Sequence, residues 1–520
     1  MDPRPDPVPT SAPAPASVGA PTQRDILIIG CGFAGLGMGM RLLRSGHTDF
    51  LVLERADDVG GTWRDNHYPG IACDVPSHLY SFSFRPNPDW TRVFSPGGEI
   101  QQYLRDCARE EGLLPYIRFG TPMLDARWSE ADQRWTVTTP QGAFVSRVLI
   151  ACPGHLADAH QPDIEGLAGF TGEVFHSARW RHDVPLQGKR IGVVGSGASA
   201  IQIVPEMAKV ARELVVFQRS APYIIPRPDR SFSAAERRLY RRDPSAITRA
   251  RSEIFWGGEH NFIQRRNVPR FVAEAKAMAL GHLSAQVPEG PLREALTPRY
   301  EIGCKRVLIS NEYYPALQRP NVTLEASALA RLEGDTAVAA SGQRHAIDVL
   351  VCATGFEATR PPFARLIHGR DGQSLDAHWA TGMLAHDSIA VHGYPNLFII
   401  NGPNTGLGHN SVVYIIEAQI DYILGALDHA RAGGIAVLEA DAQAQERYMQ
   451  ALDDRAQGSV WLAGGCRSWY VDERSQRLTL VWPGYAYAFR DANARFRPGT
   501  YRQTPATTPA AAAPHAKETA

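Results

Sequence analysis

Twice in this chain a short apolar run leads straight into a glycine-rich turn that opens a helical pattern. The first is Asp25-Ile-Leu-Ile-Ile29, followed by Gly30-Cys-Gly32-Phe-Ala-Gly35 and then Leu36-Gly-Met-Gly-Met-Arg-Leu-Leu43. An apolar run without alternation predicts a strand buried on both faces. Gly30 permits the tight turn, Gly32 lets backbone N–H groups approach a pyrophosphate, and Gly35 lets helix and strand close together. The positive end of the helix then faces the phosphates. A second strand, Phe50-Leu-Val-Leu53, ends at Glu54, roughly twenty residues past the last glycine, where a carboxylate accepts from a ribose 2′-OH.

The second segment is Arg190-Ile-Gly-Val-Val194, then Gly195-Ser-Gly197-Ala-Ser199-Ala200, then a helix starting near Ile201. Its following strand, Leu214-Val-Val-Phe217, ends in Gln218-Arg219-Ser220 instead of an acid. A carboxylate there would repel a 2′-phosphate, whereas a guanidinium pairs with one through two parallel hydrogen bonds. Two such sites hold a flavin and a nicotinamide together, and Arg219 predicts NADPH over NADH at the second.

The fold class that follows is α/β, with two Rossmann-like dinucleotide-binding domains. At 520 residues the chain exceeds the ~250–300 at which one core stops growing. Strand–glycine pairs at Arg147–Gly154 and Asp348–Gly355 mark crossings between domains. The expected division is a flavin domain over 24–155 and 386–503 and a nicotinamide domain over 156–225 and 301–385. Between 226 and 300 the strand–helix rhythm stops. Ser233-Ala-Ala-Glu236 reads as a capping box, Asp243-Pro244 as a helix start, and Val268–Leu283 as a helix. This is a helical insertion placed to wall a substrate cavity, or a lid without substrate contact. Late in the chain, Pro395–Ile400 predicts a strand, and a small-residue turn then leads to a helix capped near Ser411 and carrying Glu417.

Charge excludes other classes. With 54 basic and 54 acidic residues and no basic cluster, nothing points to nucleic acid. No apolar run reaches about 18 residues, so no membrane span is expected. Residues 1–23 and 504–520 are Pro/Ala-rich and read as disordered tails, the first lacking the apolar core of a secretory signal. The seven cysteines are scattered without C-x-x-C spacing, which predicts a reducing cytoplasm, no disulfide framework and no metal site. Oligomeric state is not legible.

Three further motifs are more specific: Gly60-Gly-Thr-Trp63-Arg-Asp-Asn-His-Tyr68-Pro69-Gly70-Ile-Ala-Cys-Asp74, Phe170-Thr-Gly172-Glu-Val-Phe-His176-Ser-Ala-Arg-Trp180, and Gly303-Cys-Lys305-Arg306 ahead of Tyr313-Tyr314. They resemble the G-G-x-W-x-x-x-x-Y-P-G-x-x-x-D, F-x-G-x-x-x-H-x-x-x-W and G-x-K-R signatures of flavin-dependent (type I) Baeyer–Villiger monooxygenases. The likeness spans roughly residues 24–502, with one departure at Arg181, where the family often has Pro or Asp. The resemblance implies FAD in the first site, NADPH in the second, and O2 and a small-molecule ketone as substrates. A C4a-peroxyflavin would attack the ketone and yield an ester or lactone. By the same resemblance Arg306 stabilises the negative charge and Asp74 positions it. Lys305 joins Arg219 and Ser220 around the 2′-phosphate, and Trp63 belongs to the cofactor site. Trp469 resembles a loop tryptophan that covers the nicotinamide, although its segment also fits a packed aromatic corner. His176 and Trp180 would couple the two domains. Flavin monooxygenases that oxidise nitrogen or sulfur are the alternative; they share the glycine loops, lack the tryptophan pattern, and would not need Arg306.

Overall fold

In the computed structural model, which describes residues 20–506, the two glycine loops open two separate sheets. Thr22–Ile29 lies at the centre of the first, an eight-stranded sheet. It pairs in parallel with Phe50–Leu53 and Gly142–Ala151, and Phe50–Leu53 pairs onward with Ile117–Arg118. Leu397–Ile399 also joins Gly142–Ala151 in parallel. An antiparallel arm, Arg134–Thr139 and Asp125–Ser129, extends the far side. Phe50–Leu53 is buried at every position, as an unalternating apolar run requires when helices cover both faces.

The second sheet is wholly parallel, in the order Val322–Glu325, Glu213–Phe217, Arg190–Val194, Val349–Cys352, Glu173–His176. Each glycine loop therefore sits at the carboxyl end of a central strand, where open α/β sheets bind their ligands. The helices expected after the loops run over Phe33–Arg44 and Ala200–Val210.

The regular structure of the insertion from 234 onward is helical: Ala234–Arg242, Pro244–His260, Phe262–Arg265, Pro269–Gln286 and Pro291–Ala295. Its local signals act as expected. The Ser233 hydroxyl accepts the Glu236 N–H at 3.2 Å, and the Glu236 carboxylate accepts the Ser233 N–H at 2.8 Å. Asp243 accepts the Ser245 N–H at 3.0 Å, with Pro244 at the first helical position, where no N–H is needed.

Three expectations are corrected. Thr22 and Gln23 are not tail: they pair with Phe144 and Val145 in the first sheet. Thr504 and Pro505 likewise pair with Val437 and Ile435. The rest of both tails, 1–19 and 507–520, lies outside the described residues. The third concerns the return to the first sheet, which comes ahead of 386, because Ile367–His368 pairs with Asp125–Ser129. A two-residue strand leaves too little pattern to read from sequence.

Candidate active site and cofactor cradles

The three glycines of the first loop answer to different constraints. Gly30 has φ +97°, and a Cβ there would lie 2.6 Å from the Cys152 carbonyl oxygen. A Cβ on Gly35 would lie 1.9 Å from the Gly30 carbonyl oxygen. Gly32 is different: its φ is −83°, open to any residue, and a Cβ would meet nothing closer than Gly61 Cα at 3.7 Å. The second loop repeats the contrast. Gly195 has φ +124° with the Ala353 carbonyl 2.4 Å from a Cβ, whereas one on Gly197 would meet nothing within 4 Å. The protein itself does not require glycine at 32 or 197. Glycine at each helix start leaves the backbone bare where a pyrophosphate must approach it, so the residues present fit both dinucleotides.

Glu54 is 3% exposed. Its carboxylate accepts the Cys31 N–H at 2.8 Å and the Ala56 N–H at 2.9 Å, and pairs with Arg64 at 3.0 Å. It thus braces the first loop, and a carboxylate's fourth lone-pair direction remains for a ribose hydroxyl. Trp63 lies on the short helix Thr62–Asp65 beside Gly61, with Nε1 donating to the Tyr80 hydroxyl at 3.1 Å.

The segment 60–74 runs from one sheet to the other. Tyr68 donates to Gln202 Oε1 at 3.0 Å, on the helix that follows the second loop. A Cβ on Gly70 would lie 2.7 Å from the Gln202 carbonyl oxygen, so only glycine fits against that helix. Asp74, at the end of the segment, meets Arg306: Nε donates to Oδ2 at 2.8 Å and Nη2 lies 2.7 Å from the same oxygen. Asp74 holds the Arg306 pKa above its ordinary value.

On the nicotinamide side, Ser199 precedes the helix Ala200–Val210 and Ala200 is fully buried. The Ser196 hydroxyl donates to the Ser220 carbonyl at 2.9 Å. Lys305 Nζ donates to the Ser220 hydroxyl at 2.8 Å. Burial, and then neighbouring Arg219, lower the Lys305 pKa. Lys305 on the Ser220 hydroxyl, with Arg219 near enough to act on it, is a pair of like charges that an incoming dianion relieves. Arg219→Ala is therefore expected to lower the NADPH-over-NADH preference ~10–100-fold, the worth of one charge-assisted hydrogen bond. Steady-state kcat/KM with both coenzymes measures it, and an unchanged ratio would remove Arg219 from the 2′-phosphate site.

The C-terminal loop brings residues that the motifs did not reveal. Tyr470 is buried and lies beside Arg306, close enough for its side chain to act on the guanidinium. Trp469 leans on Tyr470 with ring centroids 4.8 Å apart but is itself 43% exposed, so Tyr470, not Trp469, forms the packed corner. The scattered cysteines predicted no disulfide; the structure joins Cys304 to Cys466 across 162 residues. Short-spacing patterns report only local pairs, whereas this one arises because the loop folds back over Gly303–Arg306. The other five cysteines are free and buried.

His176 caps the turn Ser177–Arg179, its Nδ1 accepting the Ala178 N–H at 3.0 Å. Burial pushes its pKa down to about 4, so the imidazole is neutral and free to accept. It lies edge-on to Phe356, whose backbone bridges to Ala159 in the other crossing segment. Trp180 is buried edge-on to Phe175, inside the second sheet's core. Ser411 caps the helix Val412–Gly433, and Glu417 is spent on Ser83, accepting its N–H at 2.6 Å and its hydroxyl at 2.7 Å.

Asp74 and Arg306 open on a cavity of about 370 Å³, whose far wall comes from the insertion through Ile254, Gly258, Gln264, Arg265 and Met278. The insertion is therefore a wall of this cavity and not a remote lid.

Two sheets with cofactor cradles and a shared cavity holding a fixed guanidinium describe a two-dinucleotide oxidoreductase. Residues 23–249 match the flavin-binding monooxygenase-like family. The chain is 44% identical over 467 residues to a Baeyer–Villiger monooxygenase of Streptomyces coelicolor, covering 89% of this chain and 90% of that one. It is 40% identical over 509 residues to a Baeyer–Villiger monooxygenase of Pseudomonas aeruginosa, covering 97% and 95%. Among solved structures, cyclohexanone monooxygenase from Rhodococcus sp. Phi1 bound to NADP+ superposes with a TM-score of 0.83 at 25% identity, covering 94% of this chain and all of that one. The chain belongs to the Baeyer–Villiger monooxygenase family.

Proposed function

We propose that Arg306, oriented by Asp74, is the group that stabilises developing negative charge when this FAD- and NADPH-dependent monooxygenase inserts oxygen beside a ketone carbonyl. The observation that carries this is the ion pair on the cavity wall: Arg306 spends Nε and Nη2 on a single Asp74 oxygen, leaving its remaining N–H groups for another acceptor. Bound FAD supplies what the side chains lack, taking electrons from NADPH and activating O2. Gly30, Gly32, Gly35, Glu54 and Trp63 hold FAD. Gly195, Gly197, Ser199 and Ala200 receive the NADPH pyrophosphate, Arg219, Ser220 and Lys305 its 2′-phosphate, and Trp469 closes the nicotinamide end.

Arg306 donates to the substrate oxygen as charge collects there, and Asp74 keeps the guanidinium from turning away. Because Asp74 fixes the donor beforehand, no reorganisation is needed as the charge forms. Apolar side chains from the insertion keep water from competing with those donors. A heteroatom oxygenation would have no use for a fixed donor at this point. The domain division follows the two sheets, with the insertion attached to the second. A cytoplasmic setting is supported by the five free, buried cysteines, with Cys304–Cys466 as the exception; no described helix is long and apolar enough to cross a membrane.

The test is a panel of cyclic, aryl and aliphatic ketones with NADPH and O2. Ketone-dependent NADPH consumption with a matching amount of ester or lactone by mass spectrometry is the expected result. Consumption that yields only peroxide across the panel would overturn the ketone assignment.

A further inference from the structure

Arg265 is the last residue of the short helix Phe262–Arg265 in the insertion and is 7% exposed. It lines the same cavity as Arg306 and Asp74. Its Nη1 donates to Gln264 Oε1 at 2.8 Å and its Nη2 to the Gly408 carbonyl at 2.7 Å. Both acceptors are neutral, and among the described residues no carboxylate lies within ion-pair distance of it. A guanidinium has five N–H groups, so most of its donors remain unspent.

The acids around the cavity are committed elsewhere. Asp74 is paired with Arg306. Glu259 accepts from Asn410 at 2.8 Å and from the Ala486 and Tyr487 N–H groups at 3.2 and 3.1 Å, and faces His409 at 3.2 Å. The groups that act on Arg265 electrostatically are Tyr470 and Arg306, and burial pulls its pKa down to about 10, so it stays charged at neutral pH.

Burying a cation without a countercharge is costly, and such a cost persists where a ligand recovers it. The remaining walls are largely apolar, with Leu79, Ile225, Ile254, Met278, Ile302 and Val307. One uncompensated cation in an apolar cavity suits a ligand with an apolar body and an anionic end.

We infer that Arg265 is a specificity residue that pairs with a carboxylate on the substrate, so that the preferred ketones are oxo-carboxylates. This rests on the ketone assignment proposed above. A methyl-ketone acid would be converted to the acetate ester of an ω-hydroxy acid. One oxygen of O2 enters the C–C bond beside the carbonyl, the other leaves as water, and NADPH with a proton supplies the two electrons.

The experiment uses the holoenzyme with 8-oxononanoate, its methyl ester and 2-nonanone, in wild type, Arg265→Met and Arg265→Lys. Wild type is expected to favour the acid over the ester at least tenfold in kcat/KM. Arg265→Met should erase that preference, ~10–100-fold in the acid's kcat/KM, and leave the ester within about threefold. Arg265→Lys should retain part of the preference, since the charge persists. Octanoate, which has no ketone, should bind wild type and perturb the flavin absorbance, and should bind Arg265→Met at least tenfold more weakly.

An acid no better than its ester, or a Met variant that loses both equally while octanoate binding is unchanged, overturns the inference. The latter would mark Arg265 as a pin for the Gly408 carbonyl or a partner of the flavin. Turnover of the ester and 2-nonanone without any acid preference overturns the inference but keeps the ketone assignment. No turnover of any ketone, with octanoate still bound through Arg265, overturns that assignment and keeps the anion site.

Discussion

Arg306→Ala is expected to bind FAD and NADPH and consume NADPH, yet form ester ~10²–10³ times more slowly than wild type. That is the usual consequence of removing one fixed donor from a site where charge develops. The electrons would appear as hydrogen peroxide, so the ratio of ester to NADPH consumed falls even where NADPH consumption itself does not. Arg306→Lys should recover little. A lysine is a point charge on a flexible stem, whereas the guanidinium keeps two nitrogens on Asp74 Oδ2 and still presents donors to the cavity. Asp74→Asn tests the positioning part separately: it keeps the shape, removes the countercharge, and should give an intermediate loss with the same shift toward peroxide. Measured as product per NADPH with a responsive ketone, ester formation by Arg306→Ala within tenfold of wild type would take Arg306 out of the mechanism.

What the sequence made legible was whatever is local. Strand, glycine turn, helix and following strand lie within about thirty consecutive residues, and the structure forms both units with shifts of one to three residues at the ends. The capping box at Ser233 and the proline-started helix at Pro244 depend on neighbours three residues away or fewer, and both form. Asp74 and Arg306 are far apart in the chain and were joined only through a family resemblance; no spacing rule brings 74 to 306. The same limit hid Tyr470, which reaches Arg306 on a loop from the far end of the chain, and the Cys304–Cys466 bond. Arg265 was illegible for another reason. An arginine in a run such as Gln264-Arg265-Arg266 reads as a solvated surface charge, and only packing shows that 265 is buried while its neighbour 266 stays exposed. Glu54 shows a partial success: its position was readable, but its bonds to Cys31, Ala56 and Arg64 make it a brace of the loop as much as a ribose acceptor.

The glycines of the first loop yield the sharpest separation between folding and cofactor binding. Gly35→Val should fail as a protein, because its Cβ would lie 1.9 Å from the Gly30 carbonyl and no side-chain rotation relieves a backbone clash; a cost of about 4 kcal/mol or more places it among the exceptional core defects. Gly32→Ala adds a Cβ whose nearest protein neighbour is 3.7 Å away, an ordinary contact at a φ of −83° that alanine adopts freely. The apoprotein should therefore keep its melting temperature and circular dichroism, while the added methyl stands where backbone N–H groups must approach a pyrophosphate. FAD affinity should fall ~10–100-fold, in line with ~1–3 kcal/mol for forcing atoms into a filled site, and Gly32→Val should leave the purified protein colourless. Flavin content after gel filtration, read beside the melting curve, decides it. A folded Gly32→Val variant that retains stoichiometric FAD would show that the open space at this helix start is not where the flavin's phosphates lie.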